Sequence, residues 1–297
     1  MKKVLAILQF IKERFDPLSH SVMIVLFVGG HLAYLRTHAS INFDMTVVVG
    51  AIALSTFFFL KLRCYDEIKD YQTDLTFNPK RPLPRGLITH PDLAIMIIAL
   101  ICFEILLCAL LAVRTLPFFL MVIAYSLLMY KEFFIGKIIR PHLTTYAMSH
   151  TVVTVGLSLS LLGIFAGQML LQQSDLYFAM SSWTLFNLFE FGRKTYSTTE
   201  EREGVDTYSK IWGRPGAVLL SVSQAVLSSF FLLLALGPGM PAYLPPFLWF
   251  LPLLLLTLGC FYLLQNSAQS AKLFRAVSSG YIILVYLALN SLFYFIS

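Results

Sequence analysis

The sequence predicts an all-α, polytopic membrane bundle, and three observations carry that prediction. Hydrophobic residues make up 58% of the 297 positions and charged ones 13%, with a mean hydropathy of +0.75; a soluble core has no use for so much apolar surface. Nine apolar runs are long enough to cross roughly 30 Å of hydrocarbon, at 18–36, 45–64, 92–113, 116–131, 143–167, 176–192, 216–237, 243–264 and 276–296. With the N-terminus placed in the cytoplasm, nine spans put every Lys and Arg except Arg36 and Arg114 on or next to that side, the asymmetry the positive-inside rule predicts. The C-terminus then falls on the opposite side. The net charge of +6 reports this topology and an affinity for anionic lipid, and gives no reason to invoke nucleic acid.

Residues 1–16 are charged and mildly amphipathic, without the apolar core of a cleavable signal, and read as an interfacial helix leading into the first span. That span carries Gly29-Gly30, small enough to let a neighbouring helix approach closely, and His31, which suits a hydrogen bond across the bundle. The second span, rich in Val, Ala and Phe, delivers an acidic stretch to the cytoplasmic surface, and Pro79, Pro82 and Pro84 end its extension. Glu104 lies in the middle of the third span, where a carboxyl must be paired, protonated or face a wet cavity. The four cysteines, Cys64, Cys102, Cys108 and Cys260, lack C-x-x-C spacing and read as small hydrophobes, neither zinc ligands nor a disulfide framework.

The acidic stretch runs from Arg63 through Asp66, Asp70 and Asp74 to Asn78, then through Lys80, Arg81 and Arg85 to Gly86. Steps of four residues turn a helix face by about 40° and advance it about 6 Å, so a continuous helix would stack the three aspartates in one slowly drifting stripe. Like charges so placed repel. Two readings follow: a solvated helix end beside a basic loop, or a magnesium site, since magnesium takes one or two carboxylates and fills its other positions with water and phosphate oxygens. Lys80, Arg81 and Arg85 would then grip the same phosphates.

A second cluster follows the sixth run: Asn187 and Glu190-Phe191-Gly192-Arg193-Lys194, then Glu200-Glu201-Arg202-Glu203 and Gly204 to Gly213. Glu190 and Lys194 have the spacing of an exposed helical ion pair, worth a few tenths of a kcal/mol (about 0.3–0.5) and no chemistry. Alternatively, two acidic loops that also carry Lys and Arg, at 65–90 and 190–215, would hold a diphosphate between two metals.

These motifs resemble those of the UbiA-type intramembrane prenyltransferase superfamily, whose first signature is N-x-x-x-D-x-x-x-D followed by R-P-[LI]-x-x-G. Asp66 takes the Asn place, Asp70 and Asp74 the two Asp places, and Arg81-Pro82-Leu83-Pro84-Arg85-Gly86 supplies the ending. The second signature is partly kept: Gly204, Thr207 and Gly213 match, but Tyr208-Ser209 replaces Leu-Pro and no D-x-x-x-D precedes them, leaving Glu190, Glu200 and Glu201 as the available acids. The family's tyrosine and basic residue at the end of the fourth span correspond to Tyr125 and Lys131. The resemblance implies one domain over 1–297, nine helices around a central lipid-accessible cavity, and magnesium-dependent transfer of a prenyl group from a prenyl diphosphate to an aromatic or lipid acceptor. It also implies that Asp66, Asp70, Asp74 and Glu190 hold Mg2+, and that Arg81, Lys131, Arg193 and Lys194 bind the diphosphate.

The altered second signature keeps two other enzymatic readings open: a terpene cyclase of the same type, and transfer of another diphosphate-activated group such as phosphoribose to a lipid phosphate. An ion-coupled transporter ranks lower, because transporters place their acids near the bilayer midplane and only Glu104 lies that deep here. An inactive relative serving as a partner-binding subunit completes the alternatives.

Overall fold

The computed structural model describes residues 2–38 and 44–294, which form helices and turns with no strand. In order the helices are α1 (Lys2–Arg14), α2 (Pro17–His38), α3 (Met45–Lys69), α4 (Tyr71–Phe77), α5 (His90–Ala112), α6 (Leu116–Tyr130), α7 (Gly136–Ile139), α8 (Leu143–Thr151), α9 (Val153–Ala166), α10 (Gln173–Arg193), α11 (Tyr208–Ile211), α12 (Gly213–Leu236), α13 (Leu244–Gln265) and α14 (Ala268–Asn290). All nine apolar runs fall on helices; the last two residues of the ninth, 295–296, lie outside the described residues.

Length and apolarity alone pick out seven candidate membrane spans among the described residues. Two features separate that number from nine. The third and fourth runs form one stretch, His90–Tyr130, yet Ala112 breaks it at φ −157°, ψ 80°, and α5 and α6 pack on each other. The sixth run is α10, whose polar residues keep it below the apolarity of a lipid-facing helix. Asp175, Ser181, Ser182, Thr184 and Asn187 are all buried in it, because α8, α12 and α14 cover the helix where lipid otherwise would. A helix surrounded by protein can use polar residues that hydrocarbon forbids.

The chain divides into two compact units. The first holds the described residues of Met1–Val28, Asn42–Phe134 and Gly163–Met169; within it α3 packs on α5 and α6. Thr89 and Asp92 cap α5 reciprocally, so the loop leaving α4 enters this helix at a fixed point. The second unit holds Gly29–Ile41, Ile135–Leu162 and Leu170–Ser297, again over the described residues, with α13 packed on α12 and α14.

Close approach is built into the second unit. A Cβ on Gly30 would lie 2.7 Å from the Tyr286 ring, and one on Gly192 would lie 2.1 Å from the Ser278 Cβ, so α14 meets both positions at a distance only glycine permits. His31 makes the cross-bundle hydrogen bond expected of it, 2.6 Å from the Ser158 hydroxyl. All four cysteines are free thiols, Cys64 and Cys108 buried, Cys102 and Cys260 exposed.

Candidate functional site

The acidic stretch straddles a joint between two helices. α3 stops at Lys69 and α4 starts at Tyr71, with Asp70 between them at φ −86°, ψ 0°. The four-residue hydrogen-bond register runs on regardless: the amides of Asp70, Asp74 and Asn78 donate to the carbonyls of Asp66, Asp70 and Asp74 at 2.9, 2.8 and 2.9 Å. The helical spacing of the three aspartates therefore survives the joint, but their surroundings differ. Asp66 is half-exposed and pairs with Lys69 at 3.2 Å and more loosely with Arg63 at 3.9 Å. Asp70 is exposed. Asp74 is buried, and Arg81 donates to both its oxygens at 2.7 and 2.5 Å while Asn78 adds a bond of 3.0 Å. At Asp66 and Asp74 the repulsion expected of stacked carboxylates is met by the chain's own cations.

The basic residues divide accordingly. Arg81 faces the acidic stretch, whereas Arg85 turns away, forking onto Glu13 and donating to the Lys80 carbonyl at 2.7 Å. Lys131, at the end of α6, is exposed, with its ammonium 4.8 Å from the Tyr130 ring centroid; Tyr130 in turn stacks on Tyr65 at 4.8 Å. Beyond it Glu132, Phe133 and Phe134 turn through left-handed conformations at φ 50°, 54° and 58°. Tyr125 is half-buried against Phe133 at 5.5 Å.

Sequence reasoning missed two partnerships here. Glu67, next to Asp66 but buried, receives Arg14 at 2.6 Å. Glu104 finds its partner in Lys61 at 2.5 Å, both side chains fully buried. Lys61, grouped by charge asymmetry with a cytoplasmic segment, is buried in the first unit, where α3 sets it against the Glu104 carboxylate of α5.

In the second unit Glu190 accepts from Arg193 at 2.5 Å and from Lys194 at 2.8 Å, the local ion pair its spacing predicts with an arginine added. Glu200 and Glu201 shape the loop that follows. Arg275 forks onto Glu200 at 2.6 and 3.0 Å, and Ser197 adds its hydroxyl at 2.9 Å. Glu201 accepts from Thr207 at 2.7 Å and Ser209 at 2.6 Å. The departure from the Leu-Pro pattern gains a physical account: Ser209 also accepts the Tyr196 amide at 2.8 Å, and buried Tyr208 packs against Phe191 at 4.8 Å and donates its amide to the Lys194 carbonyl at 3.1 Å. One turn before Glu190, Asn187 is buried in a polar chain: it accepts from Thr151 and donates to Gln224 at 3.2 Å.

The Arg275 fork holds the Glu200 carboxyl down at about 2, from an ordinary 4.5. A depressed carboxyl stabilises its surroundings fully above the unfolded value and ceases to do so as pH falls through the folded one. Protease resistance of the 195–207 loop is therefore expected to hold from neutral pH to about 4.5 and to fall away between 4.5 and 2. Arg275→Gln should move that loss upward; an acid transition unmoved by the substitution would contradict the assignment.

Among the described residues no three Asp, Glu, His or Cys side chains converge closely enough to hold a metal ion by themselves. The donor chemistry still suits magnesium, because Asp66 and Asp70 present hard carboxylate oxygens near the surface and the ion completes its shell with water and phosphate.

No family model and no curated protein matches the chain. Its fold, however, is that of UbiA-type membrane proteins. One solved neighbour is the apo form of a UbiA homologue from Aeropyrum pernix K1, with a TM-score of 0.58 and 16% identity, covering 91% of this chain and 98% of that one. Another is a digeranylgeranylglyceryl phosphate synthase, with a TM-score of 0.60 and 16% identity over 98% of each chain. At such identity the likeness is one of fold. With its apolar helices, it makes this chain an integral, multi-pass membrane protein.

Proposed function

We propose that the chain is an intramembrane prenyltransferase, moving a prenyl group from its diphosphate to an apolar acceptor, with 1–297 acting as one domain. The observation that supports this most is the α3–α4 joint: three carboxylates in helical register at the end of an apolar helix, followed by an arginine already turned onto one of them. In this reading Asp66, Asp70, Asp74 and Glu190 hold Mg2+, which when bound neutralises the diphosphate and eases its departure. Arg81, Lys131, Arg193 and Lys194 bind phosphate oxygens and stabilise the charge that grows on them as the C–O bond breaks. Arg81 then exchanges Asp74 for phosphate, a partner of like charge and geometry. Aromatic rings along the prenyl tail favour the developing allylic cation, and the acceptor captures it while giving up its proton. The loops at 65–90 and 190–215 and the N-terminus lie on the cytoplasmic side, residues 1–16 lie in the membrane interface, and the C-terminus lies opposite.

The pairing of Glu104 with Lys61 argues against a transporter, since the one deep acid of the first unit's long spans is already neutralised. The test is product analysis in proteoliposomes supplied with radiolabelled prenyl diphosphate and Mg2+, with and without aromatic and lipid acceptors. A prenylated acceptor is the expected product. A cyclic hydrocarbon formed without acceptor would replace this reading with a cyclase, and an untouched diphosphate would end it.

A further inference from the structure

Three charged residues of α1 each grip a different part of the first unit. Lys3 reaches Asp92, in the first turn of α5, at 3.2 Å. Glu13 takes a two-pronged bond from Arg85 at 2.7 and 2.9 Å, and Arg14 donates to buried Glu67 at 2.6 Å. Phe10 is buried and Ala6, Ile7 and Ile11 are half-buried, while Val4, Leu5 and Leu8 are more than half exposed, so apolar contact seats one face of the helix and the ion pairs fix where it sits.

The grip is placed at both ends of the acidic stretch. Glu67 lies just before Asp70; Arg85 closes the loop that holds Arg81, through its bond to the Lys80 carbonyl. Glu13, Arg14, Asn78, Lys80 and Arg81 line one cleft of about 460 Å³. We propose that α1 is a positioning latch: Glu13 and Arg14 hold the 78–86 loop against the end of α3, fixing the spacing of Asp70, Asp74 and Arg81. The Glu13–Arg85 pair is about one-third exposed, and such pairs add little to global stability, so breaking it shifts where the loop sits and hardly whether the protein folds. Its consequence for diphosphate binding rests on the transferase reading.

The experiment uses the full chain in lipid nanodiscs, with Glu13→Arg, Arg85→Glu and the double swap. Both positions are about one-third exposed, so the fold tolerates either charge. Each single reversal should raise hydrogen exchange in 78–89 and the KM for prenyl diphosphate about fivefold, with kcat unchanged. The double swap rebuilds the ion pair but not the bond to the Lys80 carbonyl, which a carboxylate cannot donate to, and should recover about half or more of each change. Exchange unmoved by the single variants would overturn the latch. So would a swap that restores exchange but not KM, since Arg85 would then be binding phosphate itself. If exchange rises and is rescued while wild type transfers no prenyl group, the proposed function falls and the latch stands as a mechanical element.

Discussion

Asp70→Ala is expected to lower prenyl transfer by about 10²-fold or more while leaving the melting temperature of the purified protein unchanged. The two halves of that expectation come from different facts. Asp70 is exposed at the α3–α4 joint, where its backbone continues the helical register through bonds the side chain does not make. Truncating such a side chain changes stability by roughly 0.5 kcal/mol or less. Its charge is another matter, since in the proposed reaction the carboxylate would hold the metal whose charge neutralises the departing diphosphate. Asp70→Asn, which keeps the shape and drops the charge, should be nearly as damaging. Asp74→Ala would report less cleanly, because it also releases Arg81 and Asn78 from a buried partner and loosens the loop. The measurement is labelled transfer beside a thermal melt, and full turnover by Asp70→Ala would sink the proposed chemistry.

What the sequence made legible was local. The i, i+4 aspartates and the Glu190–Lys194 pair lie within a turn or two of each other, so helix geometry alone relates them. Membrane helices are legible because lipid demands apolar side chains, and α10 is less so because its neighbours are helices. What escaped were contacts between distant elements: Arg14 with Glu67, Arg275 with Glu200, Lys61 with Glu104. Nothing in a linear pattern selects such partners, although one signal was present. A lysine at the end of one apolar run and a glutamate within another are each too costly to leave alone in hydrocarbon, which is reason to pair them. Ser209 was opaque for a different cause: against the family pattern it reads as a lost proline, and only the loop's geometry gives it two hydrogen bonds.

Lys61→Met should destabilise the protein by about 3–5 kcal/mol, the scale of stranding one member of a buried ion pair. Both side chains are fully buried 2.5 Å apart, and the Lys61 ammonium also sits 4.3 Å from the Phe58 ring centroid. The other Glu104 oxygen, Oε1, has no hydrogen-bond partner among the described residues, so removing Lys61 leaves the carboxylate with nothing. Replacing both residues by apolar ones removes the desolvated charges together, and Lys61→Met with Glu104→Leu should recover most of the loss. Detergent melts of the two single variants and the double close the cycle; a double variant no more stable than Lys61→Met would show the pair to be incidental. The pair also bears on chemistry at a distance. It ties α3 to α5, and Asp66 lies five residues, about 7.5 Å, further along α3. A tie at that depth sets the height at which the aspartates emerge, so Lys61→Met should lower activity through position, and the apolar double variant should restore activity together with stability.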